Sequence, residues 1–241
     1  MISINNLTKK FGKTLAVDHV SLQIPPGEIF GFIGPNGAGK TTTIRMMAGL
    51  LYPSEGTVHI CGIDMIQDPV QAKQRIGLVP DRPYLYEKLT GMEFLRFMGD
   101  MYQVKSADFT QKAREMLTQF SLLDRSNELI EAYSHGMKQR LIMCAALIHD
   151  PDVIIVDEPM VGLDPRGIKM VRELFRLLAG DGRTVFMSTH TLKLAQEICD
   201  RIGIIHKGKL IATGTLSELE DQASLSGSDL ESIFFQLTEP V

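Results

Sequence analysis

The stretch Gly34–Thr41, with the sequence GPNGAGKT, decides how the rest of the chain is interpreted. It matches the pattern GxxxxGK[ST], and it follows a short apolar strand and precedes a predicted helix over 41–50. In such a loop, backbone N–H groups converge on phosphate oxygens and the helix N-terminus adds positive partial charge. An incidental glycine-rich turn is disfavoured because the pattern is complete and correctly placed. The sequence therefore predicts a nucleoside triphosphate site formed by Gly34, Pro35, Asn36, Gly37, Ala38, Gly39, Lys40, Thr41 and Thr42.

Two acids after a second apolar strand predict the other half of this site. Lys40 is expected to hold the β- and γ-phosphates and Thr41 to bind Mg²⁺, which also needs a carboxylate opposite the threonine. Asp157 ends the run VIIVD, and Glu158 follows directly, where it can polarise a water for attack on the γ-phosphate. The alternative is a solvated turn. It is disfavoured because two adjacent acids at the end of so apolar a strand are costly to bury unless they are paired or bind a metal.

Size, composition and charge narrow the class of protein. The chain has 241 residues, 44% hydrophobic and 22% charged, which suits one large α/β domain or one domain with an insertion. With a net charge of −4, the chain has no overall positive potential that would attract nucleic acid or an anionic membrane surface. The N-terminus lacks a secretory signal, and the longest apolar run, 141–148, is far shorter than the ~20 residues that span a bilayer.

The pattern along the chain alternates strands and helices around a helical block. Apolar β-branched runs and intervening helices predict a parallel sheet covered on both faces. We expect a core with an N-terminal β subdomain over 1–81 and 152–215, a helical subdomain over 82–151, and a helical tail over 216–241. The predicted helices of the block are 92–101, 109–120 and 136–149, and a hairpin is predicted to turn at Lys207-Gly208.

A second motif lies between the phosphate loop and the acidic strand. The segment YSHGMKQR, Tyr133–Arg140, resembles the LSGGQ signature of the ATP-binding-cassette (ABC) family. GLDP, ending at Pro165, and STH, ending at His190, resemble that family's D-loop and switch histidine, in the same order. The resemblance covers almost the whole chain.

The resemblance implies an α/β fold, a P-loop NTPase with a RecA-like parallel-sheet core, an N-terminal antiparallel β subdomain and an inserted α-helical subdomain. It also implies ATP and Mg²⁺ as cofactors and two subunits that sandwich two ATP molecules head to tail, as a homo- or heterodimer. The implied roles are catalysis by Glu158 and His190, adenine stacking by Phe11, contact with the partner's ATP by Ser134, Gly136 and Met137, and D-loop contact by Asp164.

Two departures from the family pattern affect these expectations. Asp81 stands where the family has the Q-loop glutamine near Mg²⁺, and because aspartate is shorter and charged, a water-mediated metal contact is expected. His135 and Met137 replace the first glycine and the glutamine of the signature. Ser134 and Gly136 are kept, so hydrolysis is expected.

The variant signature resembles cassettes that pair with separate membrane subunits to export drugs, lipids or polysaccharides. This implies a membrane-spanning permease as partner, docked on the helical block, and a place on the cytoplasmic face of the membrane. No nucleic-acid partner is expected. The alternatives are a non-transport ABC ATPase and a regulatory module that binds ATP without hydrolysing it; a phosphate-loop kinase or GTPase leaves the signature unexplained. The apolar stripe Leu230, Ile233, Phe234 and Leu237 is expected to pack on its own domain.

Overall fold

A computed structural model describes residues 1–82, 84–225 and 227–238 of the chain. It contains two β-sheets with helices packed around them. The strands are β1 (Ile2–Phe11), β2 (Thr14–Ile24), β3 (Ile29–Ile33), β4 (Glu55–Ile60), β5 (Ile63–Asp64), β6 (Ile76–Val79), β7 (Val153–Asp157), β8 (Thr184–Thr189), β9 (Arg201–His206) and β10 (Lys209–Gly214). The helices are α1 (Lys40–Met47), α2 (Pro69–Gln74), α3 (Gly91–Met101), α4 (Ser106–Gln119), α5 (His135–Leu147), α6 (Pro165–Gly180), α7 (Leu192–Ile198), α8 (Leu216–Gln222) and α9 (Leu230–Thr238).

The larger sheet positions the functional site. Its strand order is β10-β9-β3-β8-β7-β6, and all neighbouring pairs are parallel except β10 with β9. In register, Ile33 lies opposite Thr189 and Asp157 lies opposite Ser188. Because the carboxyl ends of parallel strands meet at one edge, the loops after β3, β7 and β8 converge there.

Both faces of this sheet are covered, as the apolar strands predict. Ile154 and Val156 of β7 pack in a cluster with residues of α3–α6, whereas Val153 and Ile155 pack in a second cluster with α1 and the other sheet. The alternation follows from the two-residue period of a strand. The other sheet is antiparallel, in the order β2-β1-β4-β5, which agrees with the predicted N-terminal antiparallel layer.

Most predicted elements are present, with shifted ends. The three helices of the block are α3, α4 and α5, and α3 begins with a capping box between Thr90 and Glu93. The helix predicted over 41–50 ends at Met47, two residues before Gly49, whose φ is +64°. Strand β1 continues through a polar segment to Phe11, and only two residues separate it from β2.

The C-terminal tail packs on the protein's own core. Leu230 and Ile233 are fully buried, and Phe234 and Leu237 pack against the same cluster as residues of β9 and α8. This confirms the expectation for the apolar stripe. Residues 226 and 239–241 of the predicted tail, and residue 83 of the predicted helical subdomain, lie outside the described residues. The division into core, helical subdomain and tail stays a prediction.

Across the described ranges, no helix combines the length and the apolar character needed to cross a bilayer.

Candidate active site

The loop between β3 and α1 lies very close to two other backbone segments. Gly37 and Gly39 have φ of +79° and +111°, which favours glycine at both positions. A Cβ on Gly39 would lie 2.5 Å from the carbonyl oxygen of Ala16, and one on Gly34 would lie 2.3 Å from that of Ile205. The loop is therefore held between β2 and β9, and the glycines permit that approach.

Lys40 is buried at the start of α1. Its Nζ donates to the carbonyl oxygens of Gly34 at 2.7 Å and Pro35 at 3.2 Å, so the ammonium closes the loop on itself. Burial lowers the pKa of Lys40, and the carboxylates of Glu158 and Asp157 partly oppose that effect. The ammonium thus lies where positive charge is costly unless anionic groups are near.

Asp157 connects the loop with the end of β7. Thr41 Oγ1 donates to Asp157 Oδ2 at 2.9 Å, and Ser188 Oγ donates to Asp157 Oδ1. Sequence reasoning did not assign a role to Ser188. Its contact depends on the pairing of β7 with β8, and the chain order of the strands does not specify that pairing.

Glu158 adopts a strained backbone conformation beside His190. Its φ of +54° is unusual for a residue other than glycine and recurs at functional sites. Its N–H donates to the Ser188 carbonyl at 3.1 Å, and its carboxylate accepts from Thr189 Oγ1 at 3.2 Å. His190 Nδ1 lies 2.7 Å from Glu158 Oε1, so the predicted acid and histidine are in direct contact.

These residues surround one cavity of about 420 Å³. It is lined by Ala16, Asn36, Gly37, Gly39, Lys40, Thr41, Thr42, Asp81, Asp157, Glu158, Val161 and His190. Ala16 and Val161 were not predicted, because an apolar residue carries no chemical signal in a sequence. Gly34, Pro35 and Ala38 do not line the cavity; the carbonyls of the first two hold Lys40, and Ala38 is buried behind the loop.

The side chains that face this cavity offer few metal ligands. In the part of the chain that the structure describes, no three His, Cys, Asp or Glu side chains group in a way that could hold a metal ion. Thr41, Asp157 and Asp81, the predicted metal ligands, all line the cavity and offer oxygen donors. Such a set fits Mg²⁺, which is commonly bound by one or two carboxylates, with waters and phosphate oxygens completing its shell.

The signature residues lie away from the cavity of their own chain. Ser134 is the N-cap of α5, where its Oγ accepts from the Met137 N–H at 3.3 Å. Asp164 is the N-cap of α6 and accepts from the Gly167 N–H at 2.7 Å. None of Ser134, Gly136, Met137 and Asp164 is among the residues that line the cavity.

The signature and the D-loop are packed against each other. A Cβ on Gly162 would lie 2.1 Å from Cδ2 of His135, and one on Gly136 would lie 3.3 Å from the Gly162 carbonyl oxygen. His135, the residue that departs from the family pattern, therefore occupies the space in which a side chain at position 162 would stand.

Phe11 lies at the end of β1 and is 50% exposed. Lys9 Nζ lies 5.3 Å from the centroid of its ring, and the ring does not line the cavity. Its predicted contact with adenine stays a prediction.

A glycine loop between a buried parallel strand and a helix, with its threonine bonded to an acid at the end of a neighbouring strand, defines a P-loop nucleoside triphosphatase. The sequence profile of the ABC transporter family matches residues 17–161. The chain belongs to that family, and it is an ATP-binding ATPase.

Alignments with similar proteins cover more of the chain than the family profile does. The chain is 40% identical to the linearmycin resistance ATP-binding protein LnrL of Bacillus subtilis over 219 residues, which cover 91% of this chain and 70% of that protein. It is 36% identical to the Nod factor export ATP-binding protein I of Cupriavidus metallidurans over 241 residues, which cover 100% of this chain and 79% of that protein.

Solved structures of similar proteins share the architecture. The ATP-binding subunit of an ABC transporter superimposes with a TM-score of 0.95 at 31% identity, covering 99% of this chain and 100% of that one. The dimeric structure of MJ0796, a bacterial ABC transporter cassette, gives 0.82 at 28% identity, covering 90% of this chain and 99% of that one. The predicted fold class is confirmed.

Proposed function

We propose that this chain hydrolyses ATP in the 420 Å³ cavity to drive export through a separate membrane subunit. The observation that carries the proposal is the direct contact of Glu158 with His190 beside the phosphate loop. Binding of nucleotide alone does not require Glu158 to adopt a strained backbone conformation with its carboxylate held by His190 and Thr189. Hydrolysis is therefore favoured over the regulatory alternative.

The phosphate loop binds and orients the nucleotide. The residues from Gly34 to Thr42 contribute backbone N–H groups and the N-terminus of α1, and Lys40 contributes a positive charge to the β- and γ-phosphates. Thr41 and Asp157 would hold Mg²⁺, and Asp81, which lines the same cavity, would act on it through water. When bound, Mg²⁺ neutralises charge that develops on the phosphates.

Glu158 is the general base of the reaction. Its carboxylate takes a proton from a water whose oxygen attacks the γ-phosphorus, while the bond from that phosphorus to the β-γ bridging oxygen breaks. His190 Nδ1 contacts Oε1 of Glu158 and so orients the carboxylate. The other oxygen, Oε2, accepts a hydrogen bond from Thr189 Oγ1. A positioned base of this kind contributes roughly 10²- to 10⁴-fold to a rate.

The signature serves the ATP of a second subunit. The N-terminus of α5 is capped by Ser134 and lies outside the cavity of its own chain, so another chain must supply the phosphate that it faces. The dimer of MJ0796, a similar cassette, supports this assignment. Ser134, Gly136 and Met137 therefore contact the partner's γ-phosphate, and Asp164 lies at the same interface.

Export is the direction that the relatives support. LnrL is named for resistance to an antibiotic and the Cupriavidus protein for export of Nod factor. A permease that docks on the helical block over 82–151 would place this chain at the cytoplasmic face of the membrane. In the nucleotide site, Phe11 at the end of β1 would stack on the adenine ring.

Assembly is tested by sedimentation of the Glu158→Gln protein with and without ATP·Mg²⁺, because a ligand bound only by the dimer stabilises the dimer. We expect a shift from monomer to dimer that a second substitution, Ser134→Arg, abolishes. Ser106→Arg, at the exposed start of α4, is the matched control and should leave the shift intact. If the protein with Ser134→Arg still shifts to the dimer when ATP is added, the proposed role of the signature is wrong.

Transport is tested by co-expression with a candidate permease, chosen as a neighbouring open reading frame that encodes about six apolar spans. The two chains should co-purify, and the ATPase rate of the pair in lipid vesicles should rise when a transported compound is added. A pair that forms with no such stimulation by any compound of the drug, lipid and polysaccharide classes contradicts the export proposal.

A further inference from the structure

The turn between β9 and β10 contacts the phosphate loop, although the two are far apart in the chain. The N–H of Gly208 donates to the carbonyl oxygen of Ala38 at 2.9 Å. The carbonyl oxygen of Gly208 accepts from the N–H of Asp18 at 2.8 Å. One residue therefore bridges the phosphate loop and β2 through both of its backbone groups.

The bridge depends on close approach. Gly208 is buried with φ of +82°, and a Cβ there would lie 3.0 Å from the carbonyl oxygen of Ala16 and 3.2 Å from its carbon. The same carbonyl oxygen lies 2.5 Å from the position of a Cβ on Gly39. Gly39 and Gly208 thus pack against the same peptide group of β2.

The bond to Ala38 determines where the next N–H points. The Ala38 carbonyl and the Gly39 N–H belong to one planar trans peptide, so they point in opposite directions. The carbonyl points to Gly208, behind the loop, and Gly39 lines the cavity. Anchoring the carbonyl therefore directs the Gly39 N–H to the phosphate side.

We propose that Gly208 is a positioning residue for ATP binding, which fixes the Ala38–Gly39 peptide so that its N–H faces the phosphates. The inference rests on the proposed function of the cavity. It assigns a part in nucleotide affinity to a hairpin that contributes no side chain to the cavity lining.

The chain supplies a matched control for the strain of a left-handed glycine. Gly62 also has φ of +82°, and it follows Cys61 at +51° in a two-residue hairpin turn, just as Gly208 follows Lys207 at +48°. Among the residues that the structure describes, none has an atom within 4 Å of a Cβ placed on Gly62. Gly62→Ala therefore has the backbone strain of Gly208→Ala without its tight contact with the backbone of β2.

The first experiment measures the affinity of both variants for a fluorescent ATP analogue with Mg²⁺, together with their urea midpoints. We expect Gly208→Ala to raise Kd roughly 2- to 10-fold, the equivalent of one net hydrogen bond, and Gly62→Ala to leave Kd unchanged. Lys40→Ala is measured in the same assay. If Lys40→Ala binds normally, the proposed site is wrong; if it does not bind and the two glycine variants have equal Kd, only the role of Gly208 is overturned.

The second experiment uses the wild-type protein, so it still tests the proposal if Gly208→Ala does not fold. Amide hydrogen exchange of the wild-type protein is compared with and without a non-hydrolysable ATP analogue and Mg²⁺. The Gly208 amide should exchange at least several-fold more slowly when the analogue is bound, and the Gly62 amide should not change. Equal responses of the two amides overturn the proposal.

Discussion

Thr41 Oγ1 donates to Asp157 Oδ2 at 2.9 Å, which joins the first helix to the end of a strand 116 residues away. Both oxygens of the carboxylate are bonded, since Ser188 donates to the other one. The acid is therefore fixed in orientation at the edge of the cavity.

Asp157→Asn should remove the Mg²⁺ dependence of nucleotide affinity, because a neutral amide is a poor ligand for a hard dication. The measurement is binding of the fluorescent ATP analogue over a series of Mg²⁺ concentrations. Asp152→Asn, just before the same strand, is the matched control, since its carboxylate pairs with Arg75 on the surface at 3.0 Å. A variant at 157 that keeps the wild-type Mg²⁺ response excludes Asp157 from the metal site.

Lys40→Ala should abolish ATP binding or weaken it by at least tenfold, because the buried phosphates lose their main counter-charge. Equilibrium titration with the fluorescent analogue measures the loss. Lys169→Ala, which removes an exposed lysine from α6, should bind like the wild type. Near wild-type affinity of Lys40→Ala would show that the phosphates bind elsewhere.

Glu158→Gln should keep ATP affinity and lower steady-state phosphate release by about 10²-fold or more, as expected for loss of a general base. The change is nearly isosteric, so the contacts of residue 158 with Thr189 and His190 can be retained. Glu173→Gln on the exposed face of α6 is the control. Unchanged phosphate release would mean that another group activates the water.

His149 should make the protein less stable in acid. Its ring stacks on Tyr102 with centroids 3.7 Å apart, and its Nε2 donates to the Ile76 carbonyl at 3.0 Å. Burial lowers its pKa to about 4, while Asp150 opposes and Lys112 reinforces the shift. The unfolded chain therefore binds more protons between about pH 6.5 and 4, so stability is present above this window and is lost as pH falls through it.

The urea midpoint of the wild type should fall from pH 7 to pH 4.5 more steeply than that of His149→Gln. The pH slope is compared rather than the absolute midpoint, because glutamine also loses the stacking contact. His135→Gln, at an exposed histidine, should keep the wild-type slope. Equal slopes for all three proteins would show that His149 is not the titrating group.

The sequence predicted the phosphate loop and the two acids because each lies in a contiguous segment with its own strand. It also placed three helices in the block, of which α3 and α4 have an apolar face, whereas α5 is continuously apolar and buried from Leu141 to Leu147. The contact of Ser188 with Asp157 and the bridge from Gly208 to Ala38 could not be predicted, because both depend on which strands are neighbours. The extension of β1 to Phe11 could not be predicted for a related reason, since pairing with β2 extends a polar segment that has no strand pattern.

The imidazole of His135 lies where a side chain at position 162 would stand, 27 residues further along the sequence. Because His135 is exposed, its ring can turn aside and give up that volume. The φ of +79° at Gly162 cannot be relieved in this way, so removing the imidazole would free space beside the D-loop without making another residue favourable at 162. The variant histidine therefore fills a gap that the glycine leaves, and the backbone of the D-loop keeps the glycine.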